Sequence, residues 1–268
     1  MNISTKGKAL VTGASTGIGA VYADRLAKRG YDLILVARNG DRLNALANTI
    51  KQQTGRAVSV VAADLNNKAD LSSIEDILRN DTSISLLVNN AGIGSVASVL
   101  DSGADDMEAM ISLNITALTR LTYAVAPAFA ARGAGTIVNI SSVVGIAVEA
   151  LNGVYSASKS YVLSFGHALQ RDLADKGVRI QTVLPAATAT EFWDVAGYAP
   201  QKTKPTTMSA ADLVDAALAG LDQGELVTIP ALQDDADWKR WEADRRSLAP
   251  KFANGIPAPR YGIEHDAV

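Results

Sequence analysis

Short apolar stretches that alternate with helix-length segments constrain the fold of this sequence more than any other feature. Strands that are apolar throughout, each followed by a helix, are typical of a parallel sheet that is covered by helices on both faces. The pattern therefore predicts an α/β fold with a doubly wound parallel sheet of about seven strands and helices on both faces. The predicted strands lie at 8–12, 31–37, 57–65, 83–92, 135–142, 179–185 and 225–230.

The segments between these stretches have helical spacing and helix end signals. The segment 17–30 stops at a glycine, and 41–55 has an aspartate at its start and a glycine at its end. A long helical segment is predicted over roughly 104–131, and a further helix begins near Val154. Residues 1–230 are therefore predicted to form one domain, because the alternation is continuous there.

The last segment, 231–268, breaks the alternation. It contains a stretch that is predicted to form an amphipathic helix carrying Trp238 and Trp241, followed by an extended or looping tail. A segment this short cannot bury a core of its own. We therefore predict a helical and looping appendage.

Composition and charge exclude several functions. The net charge is −3 and the sequence pI is about 5.4, which does not resemble a nucleic-acid binder. The chain has no cysteine and two histidines, so neither disulfides nor a metal site are expected. No apolar stretch is long enough for a signal peptide core or a bilayer span. A cytoplasmic protein without a membrane partner is the prediction.

A glycine-rich turn follows the first strand. The sequence TGASTGIG places Gly13, Gly17 and Gly19 between this strand and the first helix. Gly13 would allow a sharp turn, and the other two would let the backbone and the helix start approach a pyrophosphate. The helix N-terminus supplies amide donors and a positive dipole end. The turn predicts a Rossmann-type dinucleotide site, although a glycine-rich turn without a ligand has the same pattern.

The residues at the end of the second strand indicate which dinucleotide the site would bind, NAD(H) or NADP(H). In such folds an acidic residue there holds the ribose diol, whereas an arginine accommodates a 2′-phosphate. Here the strand ends in Ala37, Arg38 and Asn39, and Asp41 is better placed as a helix cap. We therefore predict NADP(H) in preference to NAD(H), with a solvated surface arginine as the alternative. Asp64, after the third strand, is a candidate for the adenine or a turn cap.

Four stretches together resemble the short-chain dehydrogenase/reductase family. They are TGASTGIG, NNAG at 89–92, Asn114 within the long helical segment, and Ser142 followed by YSASK at 155–159. Ser142 precedes Tyr155 by the 13 positions that are usual in that family. The resemblance covers residue 8 to about 230 and implies an oxidoreductase fold and activity.

The resemblance also implies the catalytic roles, which agree with the chemistry of the residues. A carbonyl that becomes an alkoxide needs a proton and a stabilising donor. Tyr155 would give the proton, and Lys159, one helical turn on, would favour the phenolate and bond the nicotinamide ribose. Ser142 would orient the substrate, with its neighbour Ser141 as the alternative. Asn114 would hold a water beside Lys159.

The cofactor-binding residues follow from the glycine turn, the strand ends and the resemblance. They come from five separate stretches of the chain. The predicted set is Gly13, Ser15, Thr16, Gly17, Ile18, Gly19, Arg38, Asp64, Leu65, Asn90, Ala91, Gly92, Tyr155, Lys159, Pro185, Thr188 and Thr190.

The sequence departs from the family after the sixth strand. Ala186 occupies the place of a usual glycine after Pro185. We expect its backbone φ to be negative, so that its methyl narrows the nicotinamide end of the pocket. The segment 191–208 resembles the variable substrate lid, and Phe192, Trp193 and Tyr198 indicate an apolar substrate or simple loop anchoring.

The function that follows is an NADP(H)-dependent carbonyl reductase that interconverts a ketone or aldehyde and an alcohol. A 3-oxoacyl-thioester reductase is the nearest alternative, for which Lys202 and Lys204 are the only basic residues near the lid. A nicotinamide-sensing protein without turnover is a further alternative. By analogy with the family, a homodimer or homotetramer is expected, with the small residues Ala124 and Gly166 in the contact or in the subunit core.

Overall fold

A computed structural model describes residues 6–263 of the chain. The chain divides into two compact units, residues 1–231 and 232–268. The first unit contains the sheet and eight of the nine α-helices that the described residues form. Within those residues, no helix has both the length and the apolar character to cross a membrane.

Seven strands form one parallel sheet in the order β3-β2-β1-β4-β5-β6-β9. The chain runs outward from β1 to β3 and then returns to β4 on the other side of β1. At such a switch point the connections leave a crevice outside the carboxyl ends of the strands. The remaining two strands, β7 and β8, pair separately in parallel. The strands are β1 Lys8–Thr12, β2 Asp32–Ala37, β3 Val58–Ala62, β4 Ile84–Asn89, β5 Gly135–Ile140, β6 Val178–Val183, β7 Thr188–Ala189, β8 Met208–Ser209 and β9 Val227–Thr228.

Helices cover both faces of the sheet. Leu33 and Leu35 of β2 belong to one apolar cluster, and Ile34 and Val36 to another, because successive strand side chains point to opposite faces. The predicted fold class is therefore confirmed. The helices are α1 Gly17–Lys28, α2 Gly40–Thr54, α3 Lys68–Asn80, α4 Ala104–Ile111, α5 Leu118–Arg132, α6 Gly153–Leu173, α7 Phe192–Val195, α8 Ala210–Gln223 and α9 Asp235–Leu248.

The two faces are filled by different helices. The first cluster includes side chains from α1, α2 and α8, and the second includes side chains from α3, α5 and α6. Ala124 belongs to the second cluster, and a Cβ at Gly166 would collide with the hydroxyl of Thr182 on β6. These two small residues therefore serve close packing within the subunit.

The long helical segment predicted at 104–131 is not one continuous α-helix. A π-helical turn at 112–117 separates α4 from α5, and Asn114 lies within it. A π-turn widens the helix locally and is frequent at functional sites. The periodicity of apolar residues does not reveal such a turn, because α4, the π-turn and α5 follow one another without a break in the helical segment.

The second unit contains α9 and two short 3₁₀ turns. The side chain of Asp234 accepts a hydrogen bond from the amide of Ala236 at 2.9 Å and caps the helix. Trp238 and Trp241 stack with their ring centroids 5.0 Å apart. A helix carrying these tryptophans was the sequence prediction for this segment.

Candidate active site

A cleft of about 570 Å³ opens at the carboxyl ends of the strands in the first unit. Its wall comprises the glycine turn after β1, the segments that follow β2 to β6, and the segment around α7. Every predicted site residue except Gly19 and Asn114 lines this cleft. The structure therefore brings together residues that are separated by up to 177 positions in the chain, from Gly13 to Thr190.

The glycine turn presents backbone amides to the cleft. Gly13 and Gly17 have φ values of 63° and 55°, a region that favours glycine. The helix α1 begins at Gly17, and its N-cap Thr16 makes no side-chain capping hydrogen bond within the described residues. The first-turn amides are therefore available to an anion, and the helix dipole adds a positive field.

Gly19 does not line the cleft, and its lack of a side chain serves packing. A Cβ there would collide with the carbonyl oxygen of Gly13 and lie 2.5 Å from Nδ2 of Asn90. The missing side chain therefore lets α1 pack against its own turn. Sequence spacing alone cannot separate this role from close approach to a ligand, because both require a glycine at the same place.

Thr12 fixes the turn and was not predicted. Its hydroxyl accepts hydrogen bonds from the amides of Asn90 and Ala91 at 3.0 and 3.1 Å and donates to the carbonyl of Val88. The side chain of Asn90 donates in return to the carbonyls of Thr12 and Gly13. The predicted Asn90 therefore holds the glycine turn in place through its side chain.

Two charged residues follow neighbouring strands at the glycine-turn end of the cleft. Arg38 is exposed, and it forms no ion pair with any other described residue. Asp64 accepts a hydrogen bond from the amide of Asn66 at 3.0 Å, which is the turn-cap role left open by the sequence. Both residues line the cleft, as does the apolar Leu65.

A salt bridge connects the start of α2 with the segment before α7. Nη1 of Arg42 lies 2.7 Å from Oε2 of Glu191, and both side chains are about half exposed, at 51% and 54%. Thr190, the preceding residue, contacts Gly17, where a Cβ would lie 3.1 Å from its Cγ2. The segment that leads into α7 therefore begins directly beside the glycine turn.

Tyr155 and Lys159 lie on one face of α6 and are both buried. Nζ of Lys159 is 5.7 Å from the centre of the Tyr155 ring and donates to the carbonyl of Ile140 at 3.0 Å. Burial raises the pKa of Tyr155 above its ordinary value, and the hydroxyl of Ser142 acts in the opposite direction. Burial lowers the pKa of Lys159 to about 8.

The two serines after β5 have separate roles. The hydroxyl of Ser141 donates to the carbonyl of Lys159 at 2.7 Å and so ties the strand to α6. The hydroxyl of Ser142 accepts from the amide of Val144 and donates weakly to the carbonyl of Pro185, each at 3.3 Å. Ser142 is therefore the serine that faces the phenol and can rotate toward a ligand.

Asn114 is buried behind the cleft wall. Its amide nitrogen donates to the carbonyl of Ile93 and to the hydroxyl of Ser158, and its oxygen accepts from the amide of Ile93. A Cβ at Gly92 would lie 3.1 Å from this oxygen and 3.4 Å from Nζ of Lys159. Asn114 and the lysine thus meet across Gly92, and Asn114 connects the π-turn to the loop after β4.

Asn152 positions the helix that carries the tyrosine. Its side-chain oxygen accepts from the amides of Val154 and Tyr155 at 2.9 and 3.2 Å, and its nitrogen donates to the carbonyl of Ala97 at 2.6 Å. This N-cap was not among the predicted residues. An asparagine directly before a predicted helix start is the signal that could have identified it.

The segment after β6 forms part of the cleft wall. No described residue other than glycine has a positive φ, so Ala186 lines the cleft without backbone strain. The hydroxyl of Thr188 donates to the carbonyl of Ala186 at 3.0 Å. Thr190 accepts from the amide of Phe192 at 3.4 Å.

Apolar side chains surround the phenol. Met110 and Val144 pack with Tyr155, and Leu151 and Phe192 lie against this group. Trp193, by contrast, is buried, and its indole donates to the carbonyl of Thr188 at 2.9 Å. The tryptophan therefore anchors α7, while the apolar group provides a water-poor surface beside the tyrosine.

The fold and these groups match known oxidoreductases. The family model described as short chain dehydrogenase matches residues 7–198. The chain therefore belongs to the short-chain dehydrogenase family, whose members are oxidoreductases that use NAD(P).

Two solved structures and one curated relative show the extent of the similarity. A short-chain dehydrogenase from Sphingobium yanoikuyae, in complex with NADPH, is 46% identical, with a TM-score of 0.93 and coverage of 95% of this chain and 99% of that one. The bulky-bulky ketone specific alcohol dehydrogenase from Comamonas testosteroni is 42% identical, with a TM-score of 0.89 and coverage of 96% and 99%. Human 17-beta-hydroxysteroid dehydrogenase type 3 is 35% identical over 184 residues, or 68% of this chain and 59% of that protein. The chain thus spans about three fifths of that relative's length.

The residues present fit a dinucleotide. The start of α1, the left-handed glycines and Arg38 provide groups for phosphates along one wall, and among residues 6–263 neither a side-chain cap nor an ion pair occupies them. Lys159 and Tyr155 lie farther along the same cleft. The cleft therefore offers anion-binding backbone at one end and a proton donor beside apolar residues at the other.

Proposed function

We propose that the protein is an NADP(H)-dependent oxidoreductase that interconverts a ketone or aldehyde and an alcohol. The observation that carries this proposal is the convergence of Tyr155, Lys159 and Ser142 in the cleft that also contains the glycine turn. A carbonyl carbon that accepts a hydride needs a proton donor at its oxygen, and Tyr155 with its two neighbours supplies hydrogen-bond donors at one place.

The preference for NADP(H) over NAD(H) is supported by Arg38. Its planar cation lies at the end of β2 without a protein partner among the described residues, and it can bind a 2′-phosphate through two parallel hydrogen bonds. The Sphingobium enzyme holds NADPH, and it shares 46% of its residues with this chain. When bound, the cofactor supplies or accepts the hydride.

Tyr155 is the proposed general acid and base. In the reductive direction its hydroxyl gives its proton to the carbonyl oxygen, and in the oxidative direction its phenolate takes the proton from the alcohol. The ordinary pKa of tyrosine is about 10, and burial alone raises it here. The Lys159 ammonium opposes that effect, because a cation near the ring favours the phenolate.

Ser142 and Asn114 have supporting roles in this proposal. Ser142 donates to the same substrate oxygen and fixes its position beside the phenol. Asn114 keeps its oxygen near Lys159 across Gly92, where a water could connect the lysine with solvent. The π-turn is what brings Asn114 to this place.

An apolar substrate with bulky substituents is supported by the residues beside the phenol. Ile93, Val144, Leu151 and Phe192 line the cleft there and bring no charge. The similar Comamonas enzyme is specific for bulky-bulky ketones. A 3-oxoacyl thioester on a carrier protein fits less well, because Lys202 pairs with Asp194 at 2.5 Å, so only Lys204 of the two lysines has no anionic partner in the described chain.

A homo-oligomer and a cytoplasmic location stay predictions. Tyr123 on α5 is 68% exposed and stacks with Phe165 of α6, whose ring also stacks on Tyr161. These rings, rather than the small residues of the two helices, are the surface that we propose for contact between copies. Sedimentation of the wild type and of Tyr123→Glu tests this, and a dimer or tetramer that persists in the variant would contradict it.

Initial rates with NADPH and NADH against ketones, aldehydes and acyl thioesters test the proposed function. We expect turnover of aryl and long-chain ketones with NADPH and much weaker rates with NADH. Tyr155→Phe should bind NADPH but show no turnover. A protein that binds the cofactor and turns over none of these carbonyl compounds would be a sensor, and higher rates with acyl thioesters than with ketones would favour the thioester reductase.

A further inference from the structure

Gly94 lies where the loop after β4, the start of α7 and the catalytic helix α6 meet. An added Cβ would collide with Cζ of Phe192, and it would lie 2.7 Å from Cε2 of that ring and 3.2 Å from Cε2 of Tyr155. The φ of Gly94 is not positive, so the backbone does not require glycine there. Glycine is needed at this position because the ring of Phe192 occupies the space that a side chain would take.

The Phe192 ring consequently rests between the loop backbone and the phenol. Its centroid is 5.6 Å from that of Tyr155, with the planes tilted by 42°. It meets the indole of Trp193 edge-on at 5.3 Å. The ring therefore packs against both neighbours and forms part of the cleft wall beside the phenol.

The backbone on either side of this contact is also connected. The carbonyl of Phe192 accepts from the amide of Ala196 at 2.8 Å, and the carbonyl of Ala196 accepts from the amide of Val96 at 3.0 Å. Trp193 is held by Thr188. The backbone of the loop that carries Gly94 and that of the helix that carries Phe192 are therefore connected through Ala196 and Val96.

From this contact we infer that Gly94 and Phe192 together determine the size of the carbonyl substituent that is accepted beside Tyr155. Because Gly94 has no side chain, the Phe192 ring can lie back against the loop. The position of the ring then limits the space for the substrate substituent. This inference rests on the proposed function, because it concerns the substrate of that reaction. A larger residue at 94 pushes the ring into the cleft, and a smaller residue at 192 opens it.

The test is the ratio of kcat/KM for a ketone with two bulky substituents to that for acetophenone, measured with NADPH. The ratio is used because a methyl at 94 also lies near the phenol and can slow both substrates. We expect Phe192→Ala to raise the ratio at least about tenfold, and Gly94→Ala to lower it by a similar factor. In the double variant the effect of Gly94→Ala should vanish, since the ring that the methyl meets is gone.

Gly153→Ala is the matched control. Gly153 begins α6 two residues before Tyr155, its φ is not positive, and an added Cβ there meets no atom within 4 Å. It should leave the ratio unchanged. If Phe192→Ala fails to fold, Phe192→Leu carries the same expected sign.

The outcomes separate the inference from the proposed function. An unchanged ratio in the Phe192 variants, or a Gly94→Ala effect that is equal with and without Phe192, would overturn the inference while turnover of ketones persists. A wild type that turns over no ketone would overturn the proposed function and this inference with it. In that case thermal unfolding of the wild type, Gly94→Ala, Phe192→Ala and the double variant would still report whether the effects of the two positions on stability are coupled.

Discussion

At the glycine-turn end of the cleft the chain presents mainly backbone, whereas around Tyr155 it presents side chains from several segments. Gly13, Gly17 and the start of α1 offer amides, and Arg38 is a cation there that forms no ion pair with any other described residue. Around the phenol, Ser142 follows β5, Ile93 follows β4 and Phe192 begins α7. One end is therefore built from local chain geometry and the other from tertiary contacts.

This difference explains how the two ends respond to substitution. Backbone amides cannot be removed by changing a side chain. At the glycine-turn end, only substitutions at the few charged positions should therefore weaken cofactor binding strongly. The Tyr155 end is buried, and burial shifts the pKa of the tyrosine and of the lysine in the directions that disfavour their charged forms. Small changes there alter proton transfer as well as binding. The following experiments compare the two ends, in order of expected effect.

Tyr155→Phe should have the largest effect. It removes the proposed proton donor and little volume, so we expect kcat to fall by a factor of about 10³ or more, with the dissociation constant of NADPH changed by less than about threefold. Tyr22 is the matched control, because it is also a fully buried tyrosine whose pKa is raised by burial. Tyr22→Phe should keep kcat. Equal losses in both variants would mean that stability, not proton transfer, was changed.

Lys159→Met should reduce turnover about 10²-fold or more and at the same time stabilise the fold at neutral pH. The folded-state pKa of Lys159 is about 8, below the usual lysine value of about 10.5, so the buried cation destabilises the native state. Below about pH 8 the lysine is charged in both states, and this destabilisation is complete.

The stability difference between Lys159→Met and the wild type should depend on pH in a defined direction. Between about pH 8 and about pH 10.5 the unfolded chain keeps a proton that the folded chain has lost, so the wild type gains stability as pH rises. The advantage of Lys159→Met in the free energy of unfolding should therefore be greatest at neutral pH and decline above about pH 8. Urea unfolding at both ends of this range measures it. An advantage that grows with pH would contradict the assignment.

Arg38→Gln tests the other end of the cleft. We expect the dissociation constant of NADPH to rise about 10- to 100-fold and that of NADH to stay nearly constant, because a charge-assisted pair with the 2′-phosphate is lost. Arg42→Gln is the comparison, since Arg42 already pairs with Glu191. A larger effect at Arg42 than at Arg38, or parallel losses for both cofactors, would contradict the role of Arg38.

Ala186→Gly should have the smallest effect. The methyl of Ala186 lines the cleft from an unstrained backbone, so its removal adds a little space without relieving strain. We expect a change of up to about threefold in the preference for bulky ketones and a slightly lower melting temperature, because glycine raises the entropy of the unfolded chain. Unchanged preference would show that the methyl does not narrow the pocket.

The sequence allowed the glycine-turn end to be predicted because its signals are local. The first strand, the glycine spacing and the end of the second strand, which carries Arg38 and no carboxylate, all lie within 31 consecutive residues, 8–38. Gly19 and Asn114 are the two predicted site residues that do not line the cleft. A glycine that packs on its own turn and an asparagine in a π-turn look the same in sequence as their alternatives.

The surroundings of Tyr155 could not be predicted in the same way. The space at Gly94 has meaning only because Phe192, 98 positions later, fills it. No periodicity or spacing encodes such contacts, which arise when the connections after different strands meet at one edge of the sheet.

The most direct test of the central claim is the ionisation of Tyr155 with and without cofactor. Ultraviolet difference titration of the wild type against Tyr155→Phe isolates this one phenol from the other tyrosines. Without cofactor we expect its pKa to lie above the ordinary value of about 10, because the ring is buried. With NADP⁺ bound we expect it to fall well below 10, since the cofactor's positive ring and the Lys159 ammonium both favour the phenolate. A pKa that remains above 10 in the complex would contradict the account.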